Sequence, residues 1–279
     1  MQNYYIENNK IVVTNLSEFN TIHILECGQV FRYKKFDNFI QVYSGNKTAK
    51  LIDYTDRTEI ITDDVNYFVN YFDLDTNYAL IKEKLNKFAI LSKMINSAYG
   101  VRILRQNEFE MIISFIISAN NNIKRIQMII ENICTKFGKN MGDYFAFPNR
   151  EELLKASVQD FIDCGAGYRA EYLYKVVREL ENFDYNYIKN NSSEDCLPKL
   201  LKLSGVGPKV ADCILLFGFY KQDVFPVDTW IIKVYNDYFA KSPTQDVKLI
   251  RKNLTNIFNN LSGYAQQYLF YYKRVLENS

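Results

Sequence analysis

Over the first part of the chain, apolar and polar residues alternate with a period close to two. Ile11 to Thr14, Val30 to Tyr33, Phe39 to Tyr43 and Leu51 to Tyr54 are short runs rich in β-branched and aromatic residues. Asp37-Asn38 and Ser44-Gly45-Asn46 separate them with turn-forming residues, which predicts closely spaced strands in an antiparallel sheet. From about Val65 the period lengthens to that of a helix. Between Glu108 and Ser118, Phe109, Ile112, Ile113 and Ile116 share one helical face behind Asn107, a suitable N-cap. The same spacing predicts helices over Ile123 to Phe137, Ala170 to Phe183, Lys209 to Phe219, Thr229 to Tyr238 and Tyr264 to Leu276. The expected fold is therefore α+β, with an N-terminal antiparallel β-rich domain over residues 1–95 and an all-helical domain over 96–279.

Composition adds limits to this picture. Of 279 residues, 48% are hydrophobic and 15% aromatic, ample material for two cores. Lys and Arg number 34 against 32 Asp and Glu, so any grip on a polyanion must rest on main-chain N–H groups and a few placed cations. Cys27, Cys134, Cys164, Cys196 and Cys213 are scattered and contain no C-x-x-C pair. That spacing fits neither a disulfide framework nor a zinc or iron–sulfur site, and no metal or cofactor is expected. With His23 as the single histidine, neither a His-based triad nor a multi-His metal site is expected. The N-terminus has no apolar signal core, and no stretch approaches the ~18 uninterrupted apolar residues of a membrane span. A soluble monomer is expected, without membrane association.

The chemistry concentrates between residues 203 and 230. Leu203 to Lys209 reads as a hairpin between two helices, in which Gly205 and Gly207 permit positive φ and close backbone approach. Pro208 suits the first position of the next helix, and successive N–H groups at such a start form a phosphate site without any basic side chain. Lys209 falls in that first turn, where the helix dipole disfavours a cation. A solvated surface lysine and a buried amine nucleophile are both open readings of it. Asp228 opens a later helix and suits an N-cap; the same carboxylate could also face a cleft beside Lys209.

These residues carry a resemblance. The stretch from Leu203 to Trp230 resembles the hairpin, lysine and downstream aspartate of the helix-hairpin-helix DNA glycosylases. Gly100 to Ile126, Gly167 to Ala170, Cys27 to Arg32 and Gly263 to Phe270 are similar, in order, to segments of the 8-oxoguanine DNA glycosylases. The resemblance implies a helix-hairpin-helix catalytic domain behind the β-rich one. It implies excision of 8-oxoguanine from double-stranded DNA, preferentially opposite cytosine, with associated strand nicking at the abasic site.

The resemblance also implies roles residue by residue. Lys209 would be the nucleophile and Asp228 the carboxylate that stabilises the developing oxocarbenium charge. Gly28 would discriminate the lesion through its carbonyl, which faces the N7–H that guanine lacks. Cys213 would floor the base pocket, Gln266 would read the Watson–Crick edge and Phe270 would stack on the purine. Asn120 would fill the vacated space in the duplex, Tyr168 would wedge it, and Arg125 and Arg169 would donate to the unpaired cytosine. Gly205 and Gly207 would lie against the DNA backbone. Without the resemblance, Asn120 to Asn122 is a polar loop, Arg125 a solvated helix charge, Cys213 a core cysteine and Phe270 a core aromatic.

There are departures from the family pattern. Trp230 stands where eukaryotic members carry a histidine, and Lys273 stands where an acidic residue is expected, which places contacts at the pocket rim in question. A glycosylase for another damaged base and a non-catalytic DNA-binding module are the alternative functions; Gly28, Gln266 and Phe270 argue against the first, and the pairing of Lys209 with Asp228 against the second. The expected location is cytoplasmic, at the nucleoid of a prokaryote, or nuclear in a eukaryote.

Overall fold

The computed structural model describes residues 3–277. Six strands form one antiparallel sheet: β1 (Tyr4–Glu7), β2 (Lys10–Val13), β3 (Tyr33–Lys35), β4 (Ile40–Ser44), β5 (Lys47–Asp53) and β6 (Thr58–Thr62). Their order across the sheet is β1-β2-β6-β5-β4-β3. Register follows the alternation: Val42 pairs with Ala49 and Leu51 with Ile60, so one apolar set faces one side. Helices α1 (Thr21–Leu25) and α2 (Val65–Tyr71) cover that side, and Ile11, Val42, Leu51, Ile60, Phe68 and Phe72 form its core. β1 and β6 escape the alternation reading because β1 is a mostly exposed edge and β6 sets polar Thr58 and Thr62 beside Ile60 on its buried face while Ile61 is exposed on the other.

Thirteen further helices follow. They are α3 (Tyr78–Leu85), α4 (Ala89–Ser97), α5 (Glu108–Ser118), α6 (Ile123–Phe137), α7 (Arg150–Leu153), α8 (Val158–Asp163), α9 (Arg169–Glu179), α10 (Tyr185–Asn190), α11 (Ser193–Leu200), α12 (Pro208–Phe217), α13 (Thr229–Tyr238), α14 (Val247–Phe258) and α15 (Ser262–Tyr271). α5 is capped by Asn107, α6 by Asn122 and α13 by Asp228, each through side-chain bonds to main-chain N–H groups. The last expected helix is interrupted: after Tyr271 the backbone widens into a π-turn over Tyr272–Leu276, closed by Glu277 N–H on the Tyr272 carbonyl at 3.1 Å.

One expected strand is corrected. Val30 to Arg32 is not in the sheet; only Tyr33 to Lys35 pairs with β4. Residues 26–32 instead form a strap that leaves the sheet for the helical domain, where Cys27 and Phe31 join the helical core. Gln29 replaces ladder bonds with side-chain bonds. Its amide donates to the carbonyls of Ile24 (3.0 Å) and Arg102 (2.7 Å) and accepts from Leu104 N–H (2.8 Å). Arg32, 2% exposed, donates to Glu131 of α6 at 2.9 Å and to the Phe145 carbonyl at 2.7 Å. A run apolar on both faces reads as a strand, yet its partners here are side chains and helices.

Two further polar contacts lock the helices. Asp73 accepts from Arg105 (2.7 Å), Tyr78 (3.0 Å) and Tyr220 (2.5 Å), tying the segment after α2 to the end of α12. Within the helical domain, Asp212 of α12, 1% exposed, takes both bonds of a bidentate pair from Arg251 of α14 at 2.5 and 2.7 Å. Removing the cation from a buried pair leaves an uncompensated carboxylate, at about 3–5 kcal/mol. Arg251→Leu is therefore expected to lower the thermal midpoint by roughly 6–10 °C. A fall of under about 2 °C would show that water already solvates Asp212.

Candidate active site

The hairpin before α12 uses its two glycines differently. Gly205 has φ +80°, and a Cβ there would lie 2.8 Å from Tyr172 Cβ and 3.0 Å from Ile116 Cγ2, so both the backbone conformation and the packing require glycine. Gly207 has φ −90° and ψ 177°, with nothing within 4 Å of a Cβ position. It is the N-cap of α12 and leaves the outer face of the helix start bare. Pro208 occupies the first turn of α12.

Lys209 follows, half-buried, with Nζ 5.7 Å from the centre of the Phe115 ring. Asp228 caps α13: its Oδ1 accepts from the N–H groups of Trp230 (3.0 Å) and Ile231 (2.9 Å). Those bonds fix the carboxylate plane, while Oδ2 has no hydrogen bond among the described residues. Lys209 and Asp228 line the same two adjoining cavities, an inner one and an outer one. An amine at one helix start and a carboxylate at another thus face a shared space, an arrangement suited to nucleophilic attack with cation stabilisation.

The inner cavity is walled by Cys213, Phe217, Gln266 and Phe270. Burial pushes the Cys213 thiol up to about 11, with the Lys209 ammonium pulling partly back; at neutral pH it is a neutral, apolar wall. Gln266 is 4% exposed, and its Oε1 accepts from Gln267 Nε2 at 2.7 Å. That bond orients the Gln266 amide and leaves its NH2 for a ligand. The Phe270 ring lies against Gly28: a Cβ on Gly28 would be 2.9 Å from Phe270 Cε1. With the ring there, about 50 Å³ remains free. Gly28 itself has φ +80° at the turn of the strap, so the residue brought in from the β-rich part is held in a conformation that glycine alone adopts readily.

The third group surrounds the turn between α5 and α6. Asn120 is exposed with φ +50°, a left-handed conformation for a residue with a side chain. Tyr168, 58% exposed, stands beside it and packs edge-on against Tyr172, with ring centres 6.2 Å apart. Asn120, Tyr168, Gly205 and Gly207 line one shallow groove. Arg125 is exposed on the first turn of α6.

Arg169 is held differently from Arg125. It is 4% exposed, and each of its three guanidinium nitrogens donates to a main-chain carbonyl: Nε to Ala119 at 2.9 Å, Nη2 to Ala119 and to Asn120 (3.0 Å), Nη1 to Ala166 at 3.4 Å. In this conformation it braces the left-handed turn that presents Asn120. An arginine's burial is invisible to spacing arguments, which is why the difference arises.

At the rim, Lys273 faces away from the cavity, paired with Asp237 (2.8 Å) and Glu277 (2.5 Å). The rim position is taken by Arg274. Its guanidinium lies 5.3 Å from the Phe270 ring centre, and it lines the outer cavity with Lys209, Asp228 and Trp230. Sequence reasoning missed Arg274, Gln267 and Gln29. The i, i+4 spacing that links Gln266 to Phe270 points onward to Arg274 and could have found it.

Comparison with known proteins places this geometry. Residues 11–112 match the model for the 8-oxoguanine DNA glycosylase N-terminal domain, and residues 113–260 match that for HhH-GPD superfamily base excision DNA repair proteins. The chain is 34% identical to the "Probable N-glycosylase/DNA lyase" of Methanothermobacter thermautotrophicus, over 73% of this chain and 71% of that one. It is 29% identical to the N-glycosylase/DNA lyase of Saccharomyces cerevisiae, over 85% and 73%. Its fold superposes on the crystal structure of Clostridium acetobutylicum 8-oxoguanine glycosylase/lyase in complex with double-stranded DNA containing cytosine opposite 8-oxoguanine. There the TM-score is 0.91 with 37% identity, covering 97% of each chain.

The two hairpin glycines should separate experimentally. Gly205→Ala combines a left-handed backbone with the Tyr172 contact and is expected to cost about 2–3 kcal/mol of stability. Gly207→Ala should change stability by under about 1 kcal/mol, yet weaken binding to duplex DNA by about tenfold as its methyl group enters the bare face. Thermal unfolding and fluorescence anisotropy read the two effects. Equal destabilisation of both variants would contradict the division of roles.

Proposed function

Because the chain belongs to the HhH-GPD superfamily of base-excision DNA repair proteins and carries an 8-oxoguanine DNA glycosylase N-terminal domain, we propose that it removes 8-oxoguanine opposite cytosine from double-stranded DNA through Lys209 and then nicks the strand. The observation that carries this reading is the convergence of Lys209 and Asp228, from the starts of α12 and α13, on cavities whose walls include Gly28, Cys213, Gln266 and Phe270. The division of labour follows the chain: residues 1–95 supply Gly28, and residues 96–279 supply the other groups. No helix among the described residues is long and apolar enough to cross a membrane. The protein acts as a monomer wherever its DNA lies, at a nucleoid or in a nucleus.

Eversion of the damaged nucleotide costs a few kcal/mol of stacking and pairing. Asn120 fills the space it leaves, Tyr168 wedges the opposite side, and Arg125 donates to the acceptors of the estranged cytosine. Phe270 swings off Gly28 to stack on the incoming purine. The Gly28 carbonyl then accepts the N7–H of 8-oxoguanine, whereas the N7 lone pair of guanine would be repelled, so the wrong base leaves a buried acceptor unpaired. The Gln266 NH2, held by Gln267, meets an acceptor on the Watson–Crick edge.

Lys209, its ammonium having lost a proton to water, attacks C1′ as the bond from C1′ to the base nitrogen breaks, and the electron pair leaves with the base. Asp228 offsets the positive charge that develops on the sugar and helps orient the amine. The ammonium so formed passes one proton to the departing base anion and the other to O4′ as the C1′–O4′ bond breaks, which opens the sugar ring and leaves an imine on Nζ. Loss of a C2′ proton then expels the 3′ phosphate and nicks the strand.

Lys209→Gln should abolish borohydride-trapped adducts and nicking while leaving duplex affinity within a few-fold. Asp228→Asn keeps an N-cap side chain and hence the fold, but should slow excision by 10²-fold or more, the loss typical when one charge-stabilising group is removed. A normal yield of adduct in the first variant, or near-normal excision in the second at unchanged thermal stability, would contradict the assignments.

The opposite-base reading makes a separate prediction. Arg125→Ala should narrow the preference for cytosine over adenine by about tenfold, in line with ~1–3 kcal/mol per mismatched contact. Arg169→Ala should instead lower excision opposite all four bases alike, because its bonds support the Asn120 turn. Single-turnover excision from four duplexes differing only in the opposite base tests both. A preference relaxed by Arg169→Ala and untouched by Arg125→Ala would reverse the two roles.

A further inference from the structure

Arg274 stands out among the cations of this molecule. Lys273 beside it is neutralised by Asp237 and Glu277, and Arg251 and Arg32 are each paired with a carboxylate. Arg274 has no salt bridge and donates no hydrogen bond among the described residues; its recorded contact is the face of Phe270, 5.3 Å from the ring centre. The stack holds the guanidinium plane but leaves its N–H edge unused. A π-turn over Tyr272–Leu276 sets its position, and such turns are frequent at functional sites.

Where the guanidinium points is informative. Nη1 is 3.4 Å from the position a Cβ on Gly28 would take, so it hangs over the strap at the mouth of the base pocket. It lines the outer cavity, of about 320 Å³, with Lys209, Asp228, Asn122 and Trp230. It does not line the inner cavity, whose walls are Cys213, Phe217, Gln266 and Gln267. Lys209 and Asp228 mark where the sugar must lie for attack at C1′. The base then lies inward of that point and the sugar–phosphate backbone outward, on the side of Arg274.

We propose that Arg274 binds a phosphate of the damaged strand flanking the everted nucleotide, through the free N–H edge of a guanidinium held on Phe270. The proposal rests on the glycosylase reading given above. A planar fork suits a phosphate, and the contact is indifferent to which base the nucleotide carries.

The test is single-turnover kinetics at varied enzyme concentration and varied salt for the wild type, Arg274→Ala and Arg274→Lys. The substrates are an 8-oxoguanine:cytosine duplex and an abasic-site:cytosine duplex. Arg274→Ala should raise the half-saturating concentration about tenfold on both duplexes, with the maximal rate within about twofold. The slope of log affinity against log salt should become shallower by about one, as for loss of one phosphate contact. Arg274→Lys should restore the slope and most of the affinity. A loss confined to the 8-oxoguanine duplex, with an unchanged slope, would overturn the proposal in favour of a contact to the lesion base. Unchanged kinetics in Arg274→Ala, or equal losses in both variants with a lowered thermal midpoint, would also overturn it. Failure of the wild type to excise 8-oxoguanine at all would instead refute the underlying reading, while abasic-duplex affinity would still report on Arg274.

Discussion

Helix α5 is surrounded on every side, with residues 110–117 all buried, and each part of it fixes a different part of the site. At its start, Glu110 accepts from the Gly45 N–H at 2.8 Å and so holds the β4–β5 turn. At its middle, Phe115 packs on Phe31 of the strap (5.6 Å), on Phe217 of α12 (5.3 Å) and beside Lys209. Ile116 presses on Gly205 of the hairpin, and just beyond the helix end the chain turns left-handed at Asn120. A helix that fills the space between two layers cannot shift without moving the strap, the nucleophile and the turn together. Interiors this dense are stiff, and that stiffness is how groups distant in sequence are held on one cavity.

The protein carries almost no net charge, and its interface is correspondingly local. In the proposed reading, the N–H groups at the bare start of α12, the exposed Arg125 and the unpaired Arg274 form a short set of placed contacts, while other cations such as Lys273, Arg251 and Arg32 are engaged by carboxylates. Such an interface positions a strand through few phosphates. The base pocket is similarly economical: Phe270 rests on Gly28 across it and narrows it.

Much of this could be read from the sequence, for identifiable reasons. α5, α6 and α13 begin and end where periodicity and N-caps put them, because an apolar face and a capping residue coincide at each. The hairpin, Pro208 and the cap at Asp228 are local chemistry and equally legible. Illegible were features set by tertiary contacts. Val30 to Arg32 looks like a strand because it is apolar on both sides, yet Gln29 and Arg32 tie it down as a strap. The burial of Arg169 beneath three main-chain carbonyls is set the same way. The π-turn after Tyr271 leaves no local signature, and with it Arg274 was hidden, although its spacing from Phe270 continued a pattern already visible in Gln266.

The central claim is that one amine, Lys209, forms the bond to the sugar as the damaged base leaves. The most direct measurement is borohydride reduction of the wild-type protein on an 8-oxoguanine:cytosine duplex, followed by proteolysis and mass spectrometry of the adduct. A single modified peptide, with the sugar remnant on Nζ of Lys209, is the predicted result. An adduct on another lysine, such as Lys233 beside Trp230, or excision that leaves no adduct at all, would contradict the account.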